Sequence, residues 1–393
     1  MEMRKKLLIV TQWMKMGGIE KALLAMLENI PKEKYEITVK LMTSEGELYN
    51  EIPQYIKIRN IFGNEKTVAK RMWNYIKKGD ITTAFKTGLY TKLIQHANHY
   101  KQNKYYSRMA PKDNTVYDLA IAYHSPLNFP TIYVMNNIKS KKKVLWIHCD
   151  ASYYEKSLRK IGERFYAKFD KIFCVSDFSV RKFVEIFPIL EEKTCTFNNV
   201  VVEKKMAILS QESEGFSDKY DGTRILTVGR LSEEKGQDII PSVMSKLVSE
   251  GFNIRWYLIG DGSTKMQLED KIREYHLENN IILLGTKENP YPFIKDCDIY
   301  IQPSRHEAFS ITVAEARAFN KPIITTNTGA SEQIIHGETG LIVDFQKEQF
   351  YNAIRQLLDN KQLQLKLING LSKQIVDTSK EMEKLYEVIE SIH

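Results

Sequence analysis

The stretch 302–344, QPSRHEAFSITVAEARAFNKPIITTNTGASEQIIHGETGLIVD, decides how the rest of the chain is read. It opens at the end of the apolar run 299–301, a short buried-strand pattern, and passes through a polar turn that holds Glu307. A helix is expected to begin near Ser310, whose hydroxyl would cap it, with Thr312 as the alternative cap. Ser310 and Ile311 then stand at the helix start, and Glu315 lies about one and a half turns inside. Free N–H groups and the positive dipole end at that start suit an anion, phosphate above all. Two carboxylates, Glu307 and Glu315, are thereby held at different depths beside an anion site.

Working outward, strand and helix patterns alternate on both sides of this stretch. RILTVG, NIRWYLIG, IILLG, DIYIQ, KPIITT and GLIV read as strands, with GQDIIPSVMSKLVSEG and STKMQLEDKIREYH as helices between them. Near-continuous apolar strands separated by helices indicate a parallel sheet covered on both faces. The N-terminal half has the same grammar. KKLLIVT is followed by the glycine turn Gly17-Gly18 and a helix, and further strands are expected over 36–42, 117–123, 144–148 and 171–176. The polar stretch 211–222, QESEGFSDKYDG, reads as the linker, and 372–392 as a final helix with no strand after it. The fold class is therefore α/β, two doubly wound Rossmann-like domains.

E-A-F-S-I-T-V-A-E, in register with S-R before it and K-P-I-I, G-A-S-E and G-x-x-G-L-I-V after it, resembles the E-x7-E signature of retaining glycosyltransferases of family four. That resemblance implies the GT-B fold, in which the two domains face a central cleft. Where the family usually has E-G-F-G, this chain has Glu307-Ala308-Phe309-Ser310. Gly229-Arg230-Leu231 followed by Lys235-Gly236 matches the family's G-R-L-x-x-x-K-G pattern, whose Arg and Lys contact the donor diphosphate. The resemblance also implies an N-terminal acceptor domain over 1–205, a nucleotide-sugar domain over 206–373, and a last helix over 374–393 that crosses back to the first domain.

Other residues carry two readings each. Gly260-Asp261-Gly262 is either a tight βα turn or, as the family's G-x-G, part of the nucleotide pocket; a dinucleotide fingerprint is incomplete because Lys265 takes the third glycine's place. Gly17 and Gly18 form a plain turn or let backbone N–H groups approach phosphate. His148, at the end of VLWIH, is a structural histidine or, by resemblance, touches the transferred sugar. Asn198-Asn199 resembles the family's N-G-V loop. Asp296-Cys297-Asp298 spells D-x-D but leads into a strand, so it is read as structural and no metal site is expected.

With 393 residues the chain suits two domains, and no apolar run approaches a membrane span. After the charged 1–6, the apolar block 7–10 is too short for a secretory leader. The four cysteines form no C-x-x-C pair, which argues against a zinc or disulfide framework. A cytoplasmic protein is expected. The net charge of +8 is uneven: residues 1–205 hold 36 Lys+Arg against 21 Asp+Glu, a balance of +15, and the remainder 21 against 28, or −7. Within 66–112, eleven basic residues starting at Lys66 face one acid, Asp80, with Trp73, Tyr75, Phe85, Tyr90, Tyr100, Tyr105 and Tyr106 interleaved. This is a basic amphipathic face for an anionic membrane, such as the inner face of the plasma membrane, or a solvated face over core aromatics. RNA is a third reading, but no RNA motif accompanies the run, and no nucleic-acid partner is expected.

The expected activity is transfer of a hexose or N-acetylhexosamine from a nucleotide-sugar, a UDP-sugar by resemblance, to a glycan or lipid-linked acceptor, with no cofactor. Arg230, Lys235, Glu307 and His148 are the catalytic candidates; Gly17, Gly18, Gly229, Gly262, Ser310, Ile311 and Glu315 are the donor-binding ones. Three other readings remain at this point: a UDP-sugar epimerase or hydrolase of the same fold, a non-catalytic sugar-nucleotide-binding partner, and a dinucleotide oxidoreductase.

Overall fold

The computed structural model describes residues 4–392 apart from 64, 66, 125, 126 and 155. Lys66, the first cation of the basic run, therefore lies outside the described residues. The chain folds as two compact units: residues 1–199 with 380–393, and residues 200–379.

The first unit contains β1 (Lys5–Thr11), α1 (Gly18–Glu28), β2 (Tyr35–Leu41), β3 (Lys57–Asn60), α2 (Val68–Lys77), α3 (Ile81–Ile94) and α4 (His99–Met109). It continues with β4 (Val116–Tyr123), α5 (Phe129–Asn137), β5 (Lys139–Ile147), α6 (Lys156–Tyr166), β6 (Lys171–Cys174), α7 (Asp177–Ile186) and β7 (Thr194–Thr196). The seven strands are ordered β3-β2-β1-β4-β5-β6-β7, and every recorded pairing is parallel. Leu7, Leu8, Ile9 and Val10 of β1 are fully buried, as a strand sandwiched between helical layers requires. Strand β5 begins at Lys139, well before the apolar 144–148 expected from sequence, because Lys139, Ser140, Lys142 and Lys143 already pair with β4 while their side chains stay exposed or half-buried outside the core. Lys143, for example, reaches the Val134 carbonyl at 3.0 Å.

The second unit contains α8 (Glu203–Leu209), β8 (Thr223–Val228), α9 (Ile240–Ser249), β9 (Ile254–Ile259), α10 (Lys265–Glu274), β10 (Ile281–Gly285) and α11 (Tyr291–Asp296). After these come β11 (Ile299–Gln302), α12 (Ile311–Ala318), β12 (Ile323–Thr326), β13 (Leu341–Val343), α13 (Lys347–Asp359) and α14 (Lys361–Ser372). Its six parallel strands run β10-β9-β8-β11-β12-β13. Apolar clusters cover both faces, one around Trp256 and Phe350 and the other around Tyr257 and Tyr300. In each sheet the strand order reverses beside the first strand, between β1 and β4 and between β8 and β11. Ligands of open α/β sheets bind at the carboxyl ends of such neighbours.

Two expectations are corrected. The stretch 211–222 is not a free linker, since it packs on the second unit. The Phe216 ring lies 4.3 Å from that of Tyr257 and 5.2 Å from that of Phe293, and Asp218 pairs with Arg224 at 3.1 Å and Arg255 at 2.7 Å. Nor is 372–392 one helix. Residues 374–378 are not helical, and Thr378 and Val201 bond each other, the Val201 N–H donating to Thr378 Oγ1 at 2.8 Å. Only Met382–Glu390 forms the last helix, α15, which joins the first unit. Its Tyr386 hydroxyl donates to the Asn29 carbonyl at 2.7 Å, and its Ile389 carbonyl accepts from Lys5 at 2.9 Å.

Candidate active site

In the second unit, the loops after β8 and β11 carry Gly229, Arg230, Lys235, Glu307, Ser310 and Ile311. The β8 loop is pressed against the β9 loop so closely that only glycine fits. A Cβ on Gly260, whose φ is +144°, would sit 2.0 Å from the Gly229 carbonyl oxygen, and one on Gly262 would sit 2.2 Å from that of Leu231. The tight-turn reading of Gly262 thus has a steric basis in this unit. Gly236, at φ 69°, likewise could not bear a side chain, because its Cβ would meet the Pro303 carbonyl oxygen at 2.0 Å.

That turn delivers Lys235, whose Nζ donates to Glu307 Oε1 at 2.7 Å. The same oxygen accepts from Ser304 Oγ at 2.9 Å, and Ser304 in turn accepts from Gln302 Nε2 at 2.9 Å. Gln302 is anchored by the Tyr300 hydroxyl at 2.9 Å. A buried polar chain therefore fixes one oxygen of a carboxylate that is itself 8% exposed, while Oε2 takes no hydrogen bond recorded among the described residues. Arg230 is exposed and pairs with no carboxylate among the described residues; its carbonyl is held by Gln237 Nε2 at 2.9 Å.

Sequence reading missed the brace that joins the two loops. Arg305 makes a forked pair with Asp238, at 2.6 and 2.8 Å, and donates to the Glu233 carbonyl at 2.7 Å. The hydrogen bonds from Arg305 hold the Asp238 carboxyl below its usual range. Arg305 stands in the S-R pair that precedes the glutamates, but its partner is far away in sequence, so spacing alone could not reveal the contact.

Helix α12 starts at Ile311, with Ser310 at the N-cap, but the expected cap is absent. Ser310 has φ 65° and ψ 90°, and its hydroxyl lies 3.3 Å from Thr312 Oγ1 rather than on a backbone N–H. Thr312 does not cap either, since its hydroxyl donates to Gln302 Oε1 at 3.1 Å. The positive φ turns the Ser310 side chain away from the first turn, at the position where the family pattern has glycine. Gln333 Nε2 donates to the Ser310 carbonyl at 3.0 Å and stabilises this uncommon backbone. Helix N–H groups left without a side-chain cap suit an anionic ligand. Glu315, in the helix interior and 2% exposed, accepts from the Tyr291 hydroxyl at 3.1 Å.

Gly17, Gly18 and His148 belong to the first unit. Gly17 precedes α1 in extended backbone, and a Cβ there would meet Glu20 Oε2 at 2.5 Å. Glu20 is buried, and its Oε1 lies 4.0 Å from His124 Nε2. His148 directly follows β5, with its ring 4.4 Å from that of Tyr123, and its buried Nε2 has no hydrogen-bond partner among the described residues. Burial, with His124 nearby, pushes the His148 imidazole well below its usual pKa, so it is neutral at pH 7. The D-x-D pair serves the sheet and the loop packed on it: Asp298 accepts the Arg224 N–H at 2.7 Å, and a Cβ on Gly215 would meet Asp296 Oδ2 at 2.7 Å.

Two parallel-sheet units of this order define the GT-B fold, and known proteins share it. Anabaena HepE in complex with UDP-glucose superposes with a TM-score of 0.73 at 17% identity, over 98% of this chain and 99% of that one. Residues 211–374, within the second unit, match the family model described as glycosyl transferases group 1. An uncharacterized glycosyltransferase of Methanocaldococcus jannaschii is 30% identical over 232 residues, 55% of this chain and 57% of that protein. The Staphylococcus aureus capsular polysaccharide biosynthesis glycosyltransferase CapM is 26% identical over 56% of this chain and 62% of its own length. The chain thus spans little more than half the length of these relatives.

Proposed function

We propose that the chain is a retaining, metal-independent glycosyltransferase that moves a hexose or N-acetylhexosamine from a UDP-sugar to an acceptor. The observation that carries this reading is the arrangement after β8 and β11. Lys235 is locked on Glu307, Arg230 is free of carboxylates among the described residues, and α12 begins without a side-chain cap. The complex of HepE with UDP-glucose supports the donor class.

Arg230 and the remaining donors of Lys235 neutralise charge as the diphosphate leaves, and the first turn of α12 at Ser310 and Ile311 receives phosphate oxygens. Glu307 presents its second oxygen to sugar hydroxyls, and Glu315 holds the ribose. Gly229 and Gly262 let the nucleotide approach the backbone. By resemblance His148 is assigned to the transferred sugar, Gly17 and Gly18 to the donor phosphate beside the acceptor, and the first unit to acceptor choice. A neutral His148 acts there as a hydrogen-bonding group rather than a cation. The departing phosphate takes the acceptor's proton, so no enzymic carboxylate attacks the sugar.

The acceptor is a lipid-linked glycan of cell-surface polysaccharide assembly, met at the cytoplasmic face of the membrane through the basic region 66–112. CapM's role in capsular polysaccharide biosynthesis supports this setting. The test is sugar transfer from UDP-sugars to lipid-linked and soluble acceptors by wild type and Lys235→Ala. Near-normal turnover in the variant contradicts the site assignment. Free sugar released without acceptor contradicts transfer.

A further inference from the structure

Helix α3 is built inside out. Its inward side carries small residues: Ala84 and Thr87 are buried, and Gly88 lies so close to α2 that a Cβ would meet Met72 Cε at 3.0 Å. The threonines there satisfy themselves on the helix, Thr87 donating to the Thr83 carbonyl at 2.7 Å and Thr91 to that of Thr87 at 2.6 Å. The large apolar residues face water instead. Ile81 is 70% exposed, Phe85 69%, Leu89 45% and Leu93 41%, all at the spacing of one helix face. Helix α2 adds Trp73 at 57% and Ile76 at 45%. A helix on a water-facing surface has the opposite polarity, and scattered exposed side chains do not form such a stripe.

The surroundings of this edge are cationic. Lys70, Lys77, Lys78, Lys86 and Lys92 are exposed, and Asp80 is spent as the cap of α3, accepting the Thr83 N–H at 3.0 Å. The other aromatics of the basic region do not share the edge. Tyr75, Tyr90, Tyr100, Tyr105 and Tyr106 are partly buried, with Tyr90 stacked on Tyr105 at 5.5 Å and Tyr106 set 6.0 Å from Phe62.

We infer that the α2–α3 hairpin is a membrane-insertion edge: Trp73, Ile76, Ile81, Phe85, Leu89 and Leu93 enter the acyl boundary of an anionic bilayer, and the flanking lysines bind its headgroups. The inference rests on the membrane association proposed above and assigns it to particular side chains. Charge favours a bilayer over the other occupants. A second copy of the chain would set lysine cluster against lysine cluster. A nucleic acid would use the lysines and stack on aromatics but gain little from Ile81, Leu89 and Leu93. An anionic interface matches both features at once.

The experiment is co-sedimentation of the full chain with vesicles of phosphatidylglycerol and phosphatidylcholine, and with pure phosphatidylcholine, alongside Trp73 emission referenced to Trp73→Phe. The variants are Phe85→Ser/Leu89→Ser and Lys78→Glu/Lys86→Glu, at exposed positions where the unfolding midpoint should hold. The expected result is binding to the anionic vesicles with a blue shift from Trp73, weakened about tenfold or more by either pair, while transfer to a soluble acceptor is unchanged. Binding that the serine pair and Trp73 do not register overturns the insertion edge but leaves an electrostatic membrane association. No binding at low salt overturns both. A dimer dissolved by the serine pair, without vesicle binding, also overturns the inference.

Discussion

Lys235 Nζ lies 2.7 Å from Glu307 Oε1, joining the turn after β8 to the turn after β11 across the point where the strand order reverses. The pair places a cation and a carboxylate together before any ligand arrives. Because Ser304 shares the same oxygen, Glu307 cannot swing freely, and its second oxygen is presented in a fixed direction.

Lys235→Ala should lower turnover by roughly 3 kcal/mol of transition-state stabilisation, a factor of about a hundred. It also leaves a mostly buried carboxylate without its cation, at a cost on the order of 1–3 kcal/mol of stability. Glu307→Gln in the Lys235→Ala background should restore much of the stability and none of the rate. Steady-state kinetics beside denaturant unfolding separates the two effects.

Asp238→Asn breaks the forked pair with Arg305, which holds the Lys235 turn from behind. Turnover should fall while nucleotide affinity changes little, since Asp238 acts through the turn and has no assigned ligand contact. Equal losses in kcat and in UDP affinity would contradict the role.

Gly260→Ala should destabilise the second unit by about 3 kcal/mol or more, because the added methyl would occupy the place of the Gly229 carbonyl and the backbone is left-handed there. Gly251→Ala, also at positive φ but in open space, should cost less. Thermal unfolding of both variants tests the difference.

In the first unit, burial raises the Asp113 pKa, but hydrogen bonds from Lys40, Thr115 and Tyr117 outweigh it and bring it from 3.8 to about 2. Burial lowers the pKa of Lys40 even with Asp113 bonded to it at 2.6 Å, so the pair carries a desolvation cost. A depressed carboxyl contributes stability that is complete above its unfolded value and lost as pH falls through the folded one. The stability advantage of wild type over Asp113→Asn should therefore shrink between pH 3.8 and about 2. A constant difference across that window would refute it.

His148 is held neutral by burial, so its contribution to turnover should not titrate near neutrality. The ratio of wild-type to His148→Ala turnover should stay flat from about pH 6 to 8. A ratio that changes with an apparent pKa near 6.5 would mean that the imidazole acts as a cation.

Much of this architecture is legible in the sequence because parallel strands buried on both faces must be apolar throughout, as Leu7 to Val10 and Ile299 to Ile301 are. The glutamate spacing is equally visible, as are the glycines of the loops after β8 and β9, since Gly236, Gly260 and Gly262 leave no room for a side chain. What escaped depends on contacts between distant residues. The polar stretch 211–222 looks like a linker until Phe216 meets Tyr257 and Asp218 meets two arginines. The Ser310 cap fails because Ser310 takes a positive φ, a backbone held by a hydrogen bond from Gln333, 23 residues away. The basic run shows its charge in sequence, but only the fold tells that α3 turns Ala84 and Thr87 inward and Phe85 outward.

The most direct test of the donor site is calorimetric or thermal-shift binding of UDP, GDP and ADP to wild type and to Glu315→Ala. The account predicts stabilisation by UDP over GDP and ADP, lost in the variant because the ribose has no carboxylate to hold it. Absence of stabilisation by any nucleotide, or UDP binding that Glu315→Ala leaves intact, would contradict it.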